Sequence, residues 1–303
     1  MDNRLVFMGT PDFAVPALEH LAENYHLAGV ITQPDRPSGR GRQLIPSAVK
    51  SSAQDLGLEV FQPQNTNTEG SLDQIRSWKP DLICVTAFGQ ILSPDLLSIP
   101  HQGCLNLHAS LLPRWRGASP INAAILAGDE DTGVSIMKMA EGLDNGPILS
   151  QVSTSIDDSE TAGSLGERLS RMGAELLAKT IPEYLQGKIS LQPQDPSLVT
   201  YAGLLKKSNG ELDFTQLSGL LARKVRAYSP WPGTFTSWQN KRLIIHAARA
   251  VSVTSPGAGV FITHENTPAV GTGDGILVLE QLQLAGKKSL SGSEFLRGNP
   301  GWL

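Results

Sequence analysis

Residues 4–32, RLVFMGTPDFAVPALEHLAENYHLAGVIT, pass from a β-rich run through a proline-containing turn into a helix-like segment at 13–23, then into a second β-rich run. Strand, helix and strand in that order make a βαβ unit, which lays its two strands parallel in one sheet. The pattern continues downstream. The β-rich runs LAGVIT, DLICVTA and GCLNLH alternate with helix-like segments at 47–56, 92–98 and 119–127; TGVSIMKM and PILSQVST read as two further strands, and 161–186 as a long closing helix. This alternation predicts an α/β fold around a mostly parallel sheet, whose ligands belong at the carboxyl ends of its strands. The first strand ends in MGTPDF, where a dinucleotide-binding sheet carries GxGxxG, and only Gly9 is present. Without the other two glycines the backbone cannot approach a pyrophosphate closely, so the turn argues against NAD chemistry.

After residue 186 the pattern changes. GKISLQPQDPSLVT, residues 187–200, is polar and proline-containing with little periodicity, which suits an extended linker. Beyond it lies one amphipathic stretch, 215–228. Short β runs with glycine-containing turns follow (TFTSW, RLIIHAARAV, GVFITH, AVGTGDG, ILVLEQLQL) and predict a small antiparallel barrel. A chain of 303 residues exceeds the range in which one hydrophobic core keeps growing. We expect a first domain at 1–187, a linker at 188–206 and a second domain at 207–303. Charge divides the same way. Residues 1–206 hold 15 Lys and Arg against 23 Asp and Glu, a net −8, whereas residues 207–303 hold 10 against 6, a net +4. A basic second part suits contact with a polyanion, although such an imbalance also arises without function.

At 40% hydrophobic and 18% charged residues the composition is that of a globular protein, and no apolar run approaches the ~20 residues that span a bilayer. MDNRLVFMGT shows no secretory pattern, so a cytoplasmic location is expected. Cys84 and Cys104 each sit inside an apolar run, the setting of reduced core thiols, and neither has the spacing of a metal or redox site.

The residues with chemistry cluster in GCLNLHASLLPRWRGASPI, 103–121. In an extended LNLHA run, Asn106 and His108 project from one face and Leu105 and Leu107 from the other. An amide can donate to a developing oxyanion, and an imidazole can donate a second hydrogen bond or move a proton, as acyl transfer to an amine requires. Spacing alone leaves open that both side chains simply face solvent. The proline- and glycine-rich turn that follows, with Arg114, Trp115 and Arg116, lies where an open sheet forms its binding crevice. Downstream, EGLDNGPIL offers Asp144 between Gly142 and Gly146, a carboxylate that a loop can carry to the same strand end, or else an ordinary turn residue.

NLHASLLPRWRGASPI, with EGLDNGPIL behind it and MGTPDFAVPAL in front, resembles the formyltransferases that use 10-formyltetrahydrofolate. The resemblance implies a Rossmann-like sheet that binds folate instead of a dinucleotide, with Asn106, His108 and Asp144 as the catalytic centre and no metal. It also implies folate contacts at Ser110, Leu111, Leu112 and Pro113, and, through the TAFGQIL loop, at Phe88, Gly89 and Leu92. Residues 32–50, TQPDRPSGRGRQLIPSAVK, form a cationic loop with Arg36, Arg40 and Arg42, which by physics suits either phosphates or plain solvent. The loop resembles the insertion that members acting on methionyl-tRNA place against the acceptor stem, with Arg40 as its key arginine. The second part, including ARKVRAYSPWPGTF, is similar to their OB-like C-terminal domain. Lys206 and Lys207 are then implied at the passage of the tRNA end, while Arg223, Lys224, Arg226, Lys241 and Arg242 could equally bind phosphate or face solvent. Trp231 and Trp238 are expected in the core. The implied reaction formylates the α-amino group of methionine on initiator methionyl-tRNA, by a monomer with no membrane partner. A sugar-nucleotide formyltransferase sharing the Asn–His–Asp centre, and a non-catalytic RNA-binding protein on the same sheet, are the competing readings.

Overall fold

The computed structural model describes residues 3–38 and 43–302, and it gathers the apolar runs of the first part into one seven-stranded sheet. In chain order come β1 (Arg4–Gly9) and β2 (His26–Ile31), then a hairpin of β3 (Arg36–Ser38) and β4 (Gln43–Ile45) that stands outside the sheet. These are followed by β5 (Val60–Phe61), β6 (Leu82–Thr86), β7 (Cys104–His108), the short β8 (Arg116–Gly117) apart from the sheet, β9 (Asp131–Lys138) and β10 (Ile148–Ser155). The spatial order is β10-β9-β7-β6-β1-β2-β5. β1 runs parallel to both β2 and β6, the pairs β6–β7 and β2–β5 are parallel, and β7–β9 is antiparallel.

The chain thus leaves β1 on one side, towards β2 and β5, and returns on the other at β6. The switch point of the sheet, where open α/β sheets form their ligand crevice, lies at the carboxyl ends of β1 and β6. There the Thr10 hydroxyl donates to the carbonyl of Phe88 at 2.8 Å, tying the turn after β1 to the loop after β6.

The helices expected from the sequence form close to their expected bounds: α1 (Val15–Asn24), α2 (Ala48–Asp55), α4 (Pro94–Leu97), α5 (Pro120–Ala127) and α6 (Ala162–Leu185), with α3 (Glu69–Ser77) before α4. The starts of α2 and α4 are legible as local chemistry, because the Ser47 and Ser93 hydroxyls accept from the backbone N–H groups of Lys50 and Leu96. α3 was not foreseen. EGSLDQIRS carries only Leu72 and Ile75 as large apolar residues, too few for a clear helical stripe, yet both are buried beside Trp78.

Alternation along β7 sorts the two layers. Leu107 meets α6, whose Gly173 passes so close that a Cβ there would stand 2.8 Å from the leucine side chain. Cys104 faces the other way, into a cluster with Val6, Met8, Ile83, Val85, Trp78, Phe88 and Leu92. Cys84 and Cys104 are both free and buried, as expected. Burial pushes the Cys104 thiol up to about 12 and Cys84 higher still. Only thiolate reacts, so both cysteines should react with a disulfide reagent at pH 8 roughly 10³-fold more slowly in the native protein than in denaturant. Fast native labelling of either would contradict this burial. Because the folded values lie above the unfolded one, these thiols contribute stability that is fully present below roughly pH 8.5 and is lost as pH rises towards and through the folded values.

By contacts, the chain divides into one unit of residues 1–117, 131–154 and 166–201 and a second of 118–130, 155–165 and 202–303. The 188–206 stretch is therefore shared, with its part up to Tyr201 in the first unit and its part from Ala202 in the second. In the second unit, after β11 (Tyr201–Ala202), come α7 (Ser218–Ala227) and the antiparallel strands β12 (Thr234–Trp238), β13 (Lys241–Val251), β14 (Phe261–His264), β15 (Thr267–Gly271), β16 (Ile276–Leu284) and β17 (Leu290–Ser291), closed by α8 (Gly292–Gly298). Register shifts interrupt the β13–β16 ladder of this unit near Ile245 and Ala247. Its core includes Trp238, Phe295 and Trp302, whose rings pack 5.4 to 5.6 Å apart. Among the described residues, no helix is long and apolar enough to cross a membrane.

Candidate active site

Asn106 and His108 are the last alternate residues of β7, on the face of Cys104, and only 8% and 6% of their surface is exposed. Asp144 arrives from the loop between β9 and β10. That loop turns back tightly against the end of β9, where a Cβ on Gly146 would stand 1.8 Å from the Lys138 carbonyl oxygen, so only glycine fits. Asp144 itself holds a left-handed backbone, with φ of 47°.

The structure brings the three predicted side chains together. Asn106 Nδ2 lies 3.5 Å from Asp144 Oδ1, and His108 Nδ1 lies 3.8 Å from Asp144 Oδ2. The Gly117 backbone N–H donates to the same Oδ2 at 2.8 Å. A carboxylate only accepts, so the amide must turn its NH₂ towards Asp144, leaving a second N–H for another acceptor. His108 Nε2 stands 2.9 Å from the carbonyl oxygen of Trp115. That oxygen also only accepts, which places a proton on Nε2. Nδ1 then accepts a proton when the ring is neutral and donates when it is charged.

The SLLP turn begins directly after β7 and is fixed by buried hydrogen bonds. Ser135 Oγ donates to the Ser110 carbonyl at 2.6 Å and accepts from Leu112 N at 3.0 Å and from Gln151 Nε2 at 2.7 Å. Gln151 Nε2 also donates to the Leu112 carbonyl at 2.9 Å. Ser110 and Leu112 are themselves buried, whereas Leu111 and Pro113 are half-buried. Phe88 and Leu92 pack in the cluster on the Asn106 face, and Gly89 is exposed. The 86–92 loop and the SLLP turn therefore flank the same strand ends.

Arg36 is exposed on β3, with its guanidinium 3.4 Å from Gln33 Oε1. The nearby Asp35 is paired with Lys50 at 2.6 Å. Hydrogen bonds from Gln62 and Lys50 hold the Asp35 carboxyl below its ordinary range. Arg40 and Arg42 lie outside the described residues. In the second unit, Lys206, Lys207, Lys241 and Arg242 are exposed. The α7 cations have structural partners. Arg223 donates to the Leu126 carbonyl, Lys224 to that of Glu211, and Arg226 to that of Glu160. Trp238 is buried as expected, but Trp231 is 49% exposed. It sits between Pro230 and Pro232 in the turn before β12, outside the alternation that buries Trp238. The backbone groups of Trp115 and Gly117, and the side chains of Ser135 and Gln151, were not foreseen. Backbone groups leave no mark in sequence, and Ser135 and Gln151 lie in strands with no motif of their own.

The formyl transferase family matches residues 3–181, and that family's C-terminal domain matches 204–300. The chain belongs to the formyltransferase family. It is 43% identical to "Methionyl-tRNA formyltransferase" of Geobacter sulfurreducens, over 97% of this chain and 93% of that one. It is 46% identical to the protein of the same name from Halorhodospira halophila, over 98% and 97%. Among solved structures, this formyltransferase is similar in fold to an N-formyltransferase from Helicobacter canadensis in complex with folinic acid and dTDP-3-aminofucose. The TM-score is 0.69 at 18% identity, covering 94% of this chain and 100% of that one. A methionyl-tRNA formyltransferase from Clostridium thermocellum matches with TM-score 0.57 at 18% identity, over 82% and 93%. The sugar-modifying neighbour is thus far more distant in sequence than the methionyl-tRNA relatives from Geobacter sulfurreducens and Halorhodospira halophila.

Proposed function

We propose that Asn106, His108 and Asp144 are the reaction centre through which this methionyl-tRNA formyltransferase moves the formyl group of 10-formyltetrahydrofolate onto the α-amino group of initiator methionyl-tRNA. The observation that carries the reading is the convergence of an amide, an imidazole and a carboxylate at one strand end of the sheet. The methionine amine attacks the formyl carbon, and the carbonyl oxygen becomes an oxyanion. The free N–H of Asn106 and a charged His108, through Nδ1, donate to it, and Asp144 balances the imidazolium. The Asp144 carboxylate takes the proton of the attacking amine; as the oxyanion collapses back to a carbonyl, the bond to the folate nitrogen breaks and that nitrogen leaves carrying the same proton. An α-amine with a pKa of roughly 7.7–8.0 is partly neutral at physiological pH, so a modest base suffices.

Folate binds as a substrate, with Ser110, Leu111, Leu112, Pro113, Phe88, Gly89 and Leu92 around it. Their placement on both sides of the Asn106 strand end supports this reading. Arg36, Arg40, Arg42, Lys206 and Lys207 meet the tRNA, and the exposure of Arg36, Lys206 and Lys207 supports that role. The enzyme works as a cytoplasmic monomer. Acid-gel analysis of charged initiator tRNA should show folate-dependent formylation; binding of folate without formyl transfer to tRNA would overturn the reading. Arg40→Ala should lower the tRNA-dependent rate, leave folate affinity unchanged, and reduce by about one the slope of log affinity against log salt. A fall in folate affinity instead would mean that the loop serves the other substrate.

A further inference from the structure

The segment after α6 reads in sequence as a featureless connection, yet its side chains stitch the two loops of the reaction centre together. Its entry is pinned to β10, because Gln192 and Ile148 exchange backbone hydrogen bonds at 2.8 and 2.9 Å. Its exit is pinned to the loop after β7. Thr200 Oγ1 accepts from Trp115 N at 2.9 Å, and the Thr200 carbonyl accepts from Arg116 N at 2.9 Å. Between these points Gln194 turns inward. One amide nitrogen, Nε2, donates to two carbonyl oxygens of the aspartate loop, that of Asp144 at 2.8 Å and that of Gly146 at 2.7 Å. Its oxygen accepts from Arg116 Nε at 3.0 Å and from Nη2 at 2.7 Å.

These bonds close a ring. The Asp144 carboxylate is held by the N–H of Gly117, the neighbour of Arg116; the Arg116 side chain holds Gln194; and Gln194 holds the backbone of Asp144. A glutamine amide carries an NH₂ donor and a carbonyl acceptor side by side on one terminal carbon, so it bonds the loop carbonyls and the guanidinium at once. The buried guanidinium orients it by claiming the oxygen, so the NH₂ must face the loop carbonyls. Without this clamp the left-handed turn at Asp144 has lost a lateral restraint, and its carboxylate is free to leave the reach of Asn106 and His108.

We propose that Gln194 and Arg116 are positioning residues that hold the Asp144 loop in register with Asn106 and His108. The proposal rests on the reading of Asp144 as the carboxylate of the reaction centre. Gln194→Glu tests it, because this change keeps length and still accepts from Arg116 but sets carboxylate oxygens against the two loop carbonyls; Gln194→Met, which removes the amide and keeps the bulk, is the second variant. Either change should lower kcat about tenfold to a hundredfold, the scale of a misplacement near 1 Å, with KM for folate and for methionyl-tRNA within about twofold of wild type. In the Asp144→Ala background, Gln194→Glu should cost nothing more, since the residue acts only through Asp144. Unchanged kcat in both single variants, or a double variant slowed by the product of the two single effects, would overturn the inference. Wild-type turnover in Asp144→Ala would instead remove the reaction centre on which it rests, a result distinguishable from the others.

Discussion

Asp144→Ala is expected to lower kcat by about 10²- to 10⁴-fold, the range for a lost proton-handling group, while folate still binds. Three observations set the size of that loss. Asp144 is the anion beside His108 Nδ1 at 3.8 Å, it accepts from Asn106 Nδ2, and it anchors to the Gly117 N–H. Removing the carboxylate therefore takes away the negative charge beside the imidazole and frees both donors to turn elsewhere. Asp144→Asn does not rescue the function. If its oxygen stays on Gly117 N–H, its NH₂ faces the NH₂ of Asn106, two donors across 3.5 Å. Single-turnover formylation with preformed enzyme–folate complex measures the chemical step directly. A rate for Asp144→Ala within a few-fold of wild type would mean that the proton leaves by a route without this loop.

Much of this site was readable before any coordinates, for particular reasons. The two-residue spacing of Asn106 and His108 fixes a shared face once the segment is a strand, and the apolar run around them makes it one. For Asp144 the flanking glycines allowed a carboxylate at the strand end but equally an ordinary turn residue, and its place in the centre came from the resemblance to the formyltransferases. What stayed hidden depends on long-range approach. Gln194 lies 78 residues from Arg116 and 50 from Asp144, in a stretch whose polarity and prolines spell only an extended chain. The Trp115 carbonyl that decides the His108 tautomer is a backbone atom with no sequence signature. Helix α3 was missed because its short apolar stripe is completed by the neighbouring Trp78. Packing α5 with α7 in the second unit, where Asn122 donates to the Ala227 carbonyl at 2.6 Å, likewise cannot be read from the helix alone.

Asn106→Ala should slow formyl transfer on the order of 10²-fold, the usual cost of deleting one oxyanion donor. Asn106→Asp is the sharper test, because it preserves shape while reversing the chemistry. Two carboxylates 3.5 Å apart would repel by about 5 kcal/mol at an effective dielectric near 20, so one of them takes up a proton instead. The shared proton bridges the two acids and leaves no N–H for the substrate oxygen. The remaining negative charge then stands where the transition state gathers its own. The aspartate variant should therefore be at least as slow as the alanine variant, even though it fills the same space. Rates in the opposite order, with aspartate faster than alanine, would show that position 106 acts by bulk alone; the oxyanion would then have to be held by His108 or by backbone N–H groups of the turn after β7.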